Sequence, residues 1–275
     1  MTEMDPIRAA TLGVVQALGE FLPISSSGHL IVVPWLLGWP DQGQGYDVAL
    51  HMGTLLALLA FFWRDWWRLV MAWVPGAARR LPGRGAADRR LGLGLAIGTV
   101  PAAVAGFLYE DVVASNLREP WLVAVLLVLG GVLLAAADRA GMQRDDLGHV
   151  GYGKATLIGL AQAVALAPGI SRSGITLTAG LLLGLSRPAA TRFSFLLAMP
   201  ITAGAGLFKL RTLATDGLPA DDLLPFVIGI ATSFVVGLAV IGALTRYVRK
   251  RSMDLFAAYR LTIGTVVIAA AIVRG

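Results

Sequence analysis

Long charge-free runs dominate the chain. Residues 48–63 carry His51 as their one ionisable group, residues 91–109, 120–137, 193–208 and 223–244 carry no Asp, Glu, Lys or Arg, and residues 255–273 carry Arg260 alone. A helix crossing the hydrocarbon of a bilayer needs about 20 apolar residues, so the pattern predicts six transmembrane helices. Pro101 and Pro200 fall inside two of them, which bundled membrane helices tolerate because neighbours satisfy the freed backbone groups. Two further apolar stretches behave differently. Residues 7–37 are broken by Pro23 and a run of serines, and residues 155–185 by Pro168, Gly169 and a second serine run. Neither half of either stretch is long enough to span alone, so both are read as re-entrant helix-loop-helix elements, a form tolerated at membrane depth only where it is buried in protein or lines a cavity.

The two broken stretches are related. Shifted by 146 residues, Gly13, Gln16, Ala17, Ile24, Ser25, Ser27 and Gly28 fall on Gly159, Gln162, Ala163, Ile170, Ser171, Ser173 and Gly174, seven identities in 16 positions. Each copy is one re-entrant element followed by three crossings, with repeat 1 over about 7–137 and repeat 2 over about 155–273. An odd number of crossings turns the second copy upside down relative to the first. The expected fold is therefore an all-α polytopic membrane protein with an inverted-topology repeat, in one membrane domain spanning 1–275.

Composition agrees with this class and excludes others. The 275 residues are 56% hydrophobic and 15% charged, against about 25% charged in soluble domains, which rules out a soluble enzyme. Cys is absent, so disulfides, thiolate metal sites and cysteine nucleophiles are excluded. Gly is abundant, at 33 residues, as suits helices packed closely in lipid. The formal charge of +6 lies in inter-helix loops and not along one amphipathic stripe, so it is read as a topology signal and no nucleic-acid partner is expected. Residues 64–90 hold seven arginines against Asp65 and Asp88, and residues 246–251 hold four basic residues and no acid; both connections are placed in the cytoplasm. The connection with Glu110, Asp111 and Glu119 against Arg118, the connection with Asp216, Asp221 and Asp222, and both termini then fall outside. The first serine loop enters from outside and the second from the cytoplasm. No cleavable signal peptide is expected, since Glu3 and Asp5 precede the first apolar run without a basic cluster.

The candidate chemistry sits in the two loops, QALGEFLPISSSGH at residues 16–29 and PGISRSG at residues 168–174. In the aligned repeat Ser26 faces Arg172 and Glu20 faces Leu166, so the copies differ in charge while keeping a Ser-x-Ser-Gly frame. Gln16 and Glu20 share a helical face. A Glu at membrane depth costs a few kcal/mol even on lenient scales, so Glu20 should be paired, protonated or on a metal. Ser25, Ser26, Ser27, Ser171 and Ser173 suit the starts of half-helices, whose free N–H groups attract anions, though serines also cap helices without binding anything. Gly28 and Gly174 permit close backbone approach. Arg172 cannot shed its charge, and its planar fork suits phosphate oxygens as well as an ion pair with Glu20. His29 follows Ser26 by three residues, on the same face of a half-helix beginning there, within reach of general acid or base work. Arg260 is expected to snorkel to the cytoplasmic interface, and His51 is left without a role. An arginine, two serine loops, a carboxylate and an imidazole together suit a phosphate-bearing anion such as a phospholipid-like or polyprenyl phosphate.

These residues resemble a known family, the undecaprenyl-diphosphate phosphatases of the bacitracin-resistance type, over nearly the whole chain. Residues 16–20 resemble its (E/Q)xxxE element, residues 23–29 its PISSxGH element and residues 168–174 its PGxSRSG element; residues 47–54, 192–200 and Tyr259-Arg260 also look like family sequence. The resemblance implies hydrolysis of undecaprenyl diphosphate to undecaprenyl phosphate and inorganic phosphate, recycling a lipid carrier for cell-wall synthesis in the bacterial inner membrane. It implies a divalent cation, Mg2+ or Ca2+, held by Glu20 with Gln16, and a site open to the periplasmic side. Gln16 stands where the family often has Glu, which leaves Glu20 as the only carboxylate of that element. The expected roles are Arg172, with the N–H groups of Ser25, Ser27, Gly28, Ser171, Ser173 and Gly174, for the diphosphate, Ser26 as nucleophile and His29 as its base. Direct attack by water is the competing mechanism, and a transporter of polyprenyl phosphate lipids is the competing function, because inverted repeats with broken helices also build transporters. A homodimer is an allowed assembly.

Overall fold

The computed structural model describes residues 4–75, 85–216 and 223–274. Glu3, Arg79, Arg80, Arg84, Asp221 and Asp222, named above for topology, lie outside the described residues, as do the side chains of Glu110, Asp111 and Asp216. The described residues form eleven α-helices: α1 Pro6–Phe21, α2 Ser26–Leu37, α3 Gln44–Phe61, α4 Trp63–Met71, α5 Gly85–Asn116, α6 Pro120–Ala140, α7 Tyr152–Val164, α8 Arg172–Leu182, α9 Arg187–Asp216, α10 Leu223–Tyr247 and α11 Asp254–Arg274. Helices α5, α6, α10 and α11 are long and apolar enough to cross a membrane, and α3 with α4 passes as a pair bent by 69°. The chain is a multi-pass membrane protein, helical throughout its regular secondary structure among the described residues.

Each predicted break is present. Helix α1 ends at Phe21 before Pro23, and α2 begins at Ser26; α7 ends at Val164, and α8 begins at Arg172. The first pair folds back on itself, because Arg8 near the start of α1 donates to the Pro40 carbonyl just beyond α2 and lies over the Trp39 ring. The second pair does likewise: Lys154 near the start of α7 and Ser186 beyond α8 both bond to Asp145. Repeat-equivalent glycines serve equivalent crossings. A Cβ at Gly13 would come within 2.8 Å of Thr232 of α10, and one at Gly159 within 2.7 Å of Gly98 of α5. The helix axes at α1/α10 and α7/α5 are thus as close as their backbones allow.

Polar contacts collect the helix ends into two poles. At one, Arg118 before α6 donates to Asp41 before α3, and Arg274 at the end of α11 donates to the Trp35 carbonyl of α2. At the other, Asp138 near the end of α6 accepts both Arg187 Nε at 2.6 Å and Nη2 at 3.0 Å, and caps the Met253 N–H before α11. Arg192 of α9 pairs there with Asp65 of α4, and Arg68 with Asp88 of α5. The described parts of the arginine-rich segments, residues 64–75, 85–90 and 246–251, therefore lie at the same pole, opposite the one holding Arg8, Arg118 and Arg274.

The first of those segments is not the plain loop expected from its charge. It opens with α4, whose Trp63 and Trp67 are 56% and 60% exposed beside Arg64 and Arg68. Aromatic and basic residues on a short helix turned away from a spanning one are the composition of a segment lying in the headgroup region. The charge count placed it at a helix end and missed its local order, because a helix of nine residues is too short to cross a bilayer and its charges read as a loop.

Asp138→Ala removes a bidentate partner and an N-terminal cap in one step. The variant is expected to lose about 3 kcal/mol, as for a buried ion pair with one member deleted, read as a lowered thermal midpoint in detergent.

Candidate active site

The two serine loops are built alike. Ser25 and Ser171 take left-handed φ values of 80° and 73°, an uncommon place for residues other than glycine. Each then caps the half-helix that follows, its hydroxyl accepting the N–H of Gly28 at 3.3 Å or of Gly174 at 3.1 Å, while the hydroxyl of the serine two residues on, Ser27 or Ser173, lies 3.4 or 3.3 Å away. Strain of this kind costs of order 1–3 kcal/mol and persists where the surroundings hold it. Its effect is to bring each half-helix abruptly to its first turn, which leaves the N–H groups of Ser26, Ser27, Arg172 and Ser173 without intrahelical acceptors. The loops touch: Ser173 Oγ donates to the Leu22 carbonyl at 3.1 Å, and a Cβ at Gly28 would sit 3.2 Å from Gly169 Cα.

Glu20 projects from the last turn of α1 into this junction and is 5% exposed. Its Oε1 accepts from Arg172 Nη2 at 2.6 Å; its Oε2 accepts from Ser26 Oγ at 2.6 Å and from Gln16 Nε2 at 3.3 Å. Ser26 reaches it because Gly19 has no side chain, a Cβ there falling 2.6 Å from Ser26 Cα. The Glu20 to Arg172 pair read from the sequence is therefore present, and Ser26 and Gln16 complete it. Two polar atoms remain buried without partners, Gln16 Oε1 and Arg172 Nη1. One is an acceptor beside a carboxylate and the other a cationic donor beside two helix N-termini, so the group offers both a cation ligand and an anion ligand.

The structure does not bring His29 to Ser26. His29 Nδ1 lies 2.7 Å from the Ser25 carbonyl, which can only accept, so Nδ1 carries the proton; Nε2 is then the acceptor for the Tyr259 hydroxyl at 2.9 Å, and the two rings stack 5.6 Å apart. Both ring nitrogens are engaged, and the hydrogen bond of Ser26 goes to Glu20. The imidazole nearest the carboxylate is His51 of α3. Its Nδ1 donates to the Asp47 carbonyl at 2.7 Å, and its Nε2 lies 3.5 Å from Glu20 Oε2, with 30% of the side chain exposed. The signal for it was its isolation as the one ionisable group in residues 48–63.

Arg260 corrects a second expectation. It does not snorkel, for its side chain is fully buried. Nε donates to the Leu127 carbonyl, Nη1 to Pro23, and Nη2 to Leu126, Gly169 and Ile170, over 2.9–3.3 Å. Position along α11 placed it near a helix end, whereas the face it occupies points to the junction of the loops.

Among the described residues, no group of three or more His, Cys, Asp or Glu gathers at any point. The oxygens of Gln16 and Glu20 nevertheless suit a hard divalent cation that takes its remaining ligands from phosphate and water, since Gln16 Oε1 is a buried, unpartnered oxygen next to a carboxylate.

Together, the bundle and this junction define an integral membrane protein with a buried charged cluster where two broken helices meet. A profile of the family described as "Bacitracin resistance protein BacA" matches residues 9–266, and the chain belongs to that family. It is 47% identical over 272 residues to an undecaprenyl-diphosphatase of Desulforudis audaxviator, covering 99% of this chain and all of the relative. It is 48% identical over 267 residues to an undecaprenyl-diphosphatase of Geobacter sulfurreducens, covering 97% of this chain and 98% of the relative. An undecaprenyl-diphosphatase of Thermomicrobium roseum is 44% identical, covering 96% and 98%.

Arg172→Lys keeps the charge next to Glu20 and loses the fork. Phosphate release from undecaprenyl diphosphate is expected to fall at least about 100-fold, the scale of one lost transition-state donor, with the detergent-purified protein still eluting as the same species.

Proposed function

We propose that the protein hydrolyses undecaprenyl diphosphate to undecaprenyl phosphate and inorganic phosphate, in the bacterial cell membrane, as a monomer or homodimer. The observation that carries the reading is the junction itself: Arg172 Nη1 is buried and unpartnered beside the first turns of two half-helices, and Ser26 Oγ is hydrogen-bonded to a carboxylate. Full-length relatives named undecaprenyl-diphosphatase support the substrate.

The proposed topology is six crossings plus two re-entrant hairpins in one membrane domain, with repeats over about 7–137 and 155–273. Support comes from the two folded-back pairs, the matched geometry of Ser25 and Ser171, and the hairpins' open ends lying at opposite poles. The arginine-rich pole is placed in the cytoplasm. The first hairpin, and with it the route to Ser26, then opens to the periplasmic side.

In the proposed reaction the headgroup lies against Arg172 and the N–H groups of Ser26, Ser27 and Ser173, while the N–H groups of Gly28 and Gly174 stay bonded to the Ser25 and Ser171 hydroxyls that hold those turns in place. Ser26 Oγ attacks the terminal phosphorus as its proton passes to Glu20 Oε2. The bond from that phosphorus to the bridging oxygen breaks, and undecaprenyl phosphate leaves with the proton that Glu20 had taken, which returns Glu20 to its carboxylate form. Water then attacks the phosphoserine, Glu20 taking its proton, and inorganic phosphate departs while Ser26 recovers its hydrogen. Arg172 faces the charge that develops on the equatorial oxygens. Glu20 and Gln16 would hold Mg2+ or Ca2+, which when bound neutralises phosphate charge and orients the headgroup. His29 has a supporting place in this scheme: it joins the Ser25 turn to Tyr259, and Glu20 takes the base role expected of it.

Transport of a polyprenyl phosphate lipid is the second reading, favoured by the oppositely directed hairpins. Detergent separates the two, since it leaves no two sides: purified protein is expected to release inorganic phosphate from undecaprenyl diphosphate and to stop when a chelator is added, whereas a transporter releases none. For the covalent step, rapid quench is expected to trap phosphate on Ser26, and Ser26→Ala to lose turnover by more than about 1000-fold. Turnover near that of the parent without trapped phosphate would mean direct attack by water.

A further inference from the structure

We propose that Arg260 is a positioning residue for phosphoryl transfer, setting the two serine loops at the one separation in which Ser26 and Arg172 face the same phosphorus. Its partners identify this role. Pro23 belongs to the first loop, Gly169 and Ile170 to the second, and Leu126 and Leu127 to α6 between them. The three loop carbonyls are those that a continuous helix would have satisfied and a broken one leaves free at membrane depth. One guanidinium, planar and carrying five N–H groups, is the side chain able to reach all of them at once.

The surroundings are shaped for that group. Its hydrogen-bond partners among the described residues are all backbone carbonyls. A Cβ at Gly130 would fall 2.7 Å from its Cζ, and one at Gly174 would fall 2.8 Å from its Nη1, so glycine at both positions leaves room for the fork. Gly174 also donates the capping N–H to Ser171. The same guanidinium thus packs against the first turn of α8, two residues from Arg172, and bonds the loop three residues before Ser26. Next to it on α11, Tyr259 holds His29 in the first turn of α2. Through these two neighbouring residues α11 touches both half-helices from beneath, without a hydrogen bond to Glu20, Ser26 or Arg172. Loss of the guanidinium would therefore alter where those groups stand while leaving them intact. Misplacement by about 1 Å is enough to cost about 100-fold in rate.

This inference rests on the phosphatase reading, and its test has an arm that does not. The chain has no cysteine, so cysteines introduced at Leu37 and Leu182, exposed ends of α2 and α8, can carry the only spin labels. Electron–electron resonance is expected to give a narrow distance distribution for the otherwise unsubstituted protein and a broader or shifted one with Arg260→Met or Arg260→Lys. With undecaprenyl diphosphate, Arg260→Met is expected to lower kcat at least about 100-fold with KM within threefold, and Arg260→Lys to recover part of kcat. If Arg260→Met does not fold, Arg260→Lys carries both arms. An unchanged distance distribution, or kcat per folded molecule equal to the parent's, would overturn the proposal. Absence of phosphate release by the parent protein would overturn the phosphatase reading, and the distance arm would still decide for or against Arg260.

Discussion

A helix broken inside a bilayer leaves carbonyl and N–H groups that lipid cannot satisfy, at several kcal/mol each. This chain breaks two apolar helices, at residues 22–25 and 165–171, and the fold covers both interruptions with protein. They are set against each other, so that Ser173 satisfies Leu22, and against α11, whose Arg260 satisfies Pro23, Gly169 and Ile170. Close glycine crossings with α10 and α5 wall the two hairpins in. Groups that remain free after this, the N–H groups at the starts of α2 and α8, are the ones the proposed chemistry uses.

Glu20 and Arg172 stand on top of that arrangement. A buried ion pair adds little net stability, since desolvation offsets much of the attraction, so their presence in the interior is better explained by reactivity than by folding. The same carboxylate is tied to Ser26 and approached by His51. One acidic side chain therefore meets one polar side chain from each of α1, α2, α3 and α8.

Where the sequence was informative, the information was local. Breaks at Pro23 and Pro168, serines in a repeated frame, and two opposite charges in otherwise apolar stretches are each visible within a few residues, and they located the loops and the Glu20 to Arg172 pair. What it hid depends on direction and distance. Arg260 lies 237 residues from Pro23 along the chain, and nothing in the letters around it tells which side of α11 it occupies. The Ser26 and His29 spacing correctly put both on one half-helix, yet the partner of each is chosen by α1 and α11. His51 was visible as an isolated polar residue without a direction. Helix α4 was lost because high local charge reads as loop even when the apolar positions between the charges keep a helical period.

Counted together, the ionised groups at the junction are one carboxylate and two guanidiniums, since Arg260 has only carbonyls for hydrogen-bond partners. The interior is thus one positive charge in excess before any ligand arrives. A diphosphate headgroup brings about three negative charges, which would turn that excess into a deficit of two. One divalent ion makes the assembly neutral. Electroneutrality in a low-dielectric interior would therefore favour a diphosphate headgroup and a divalent cation entering together over either entering alone, whereas a singly charged lipid phosphate would balance the same interior without a cation.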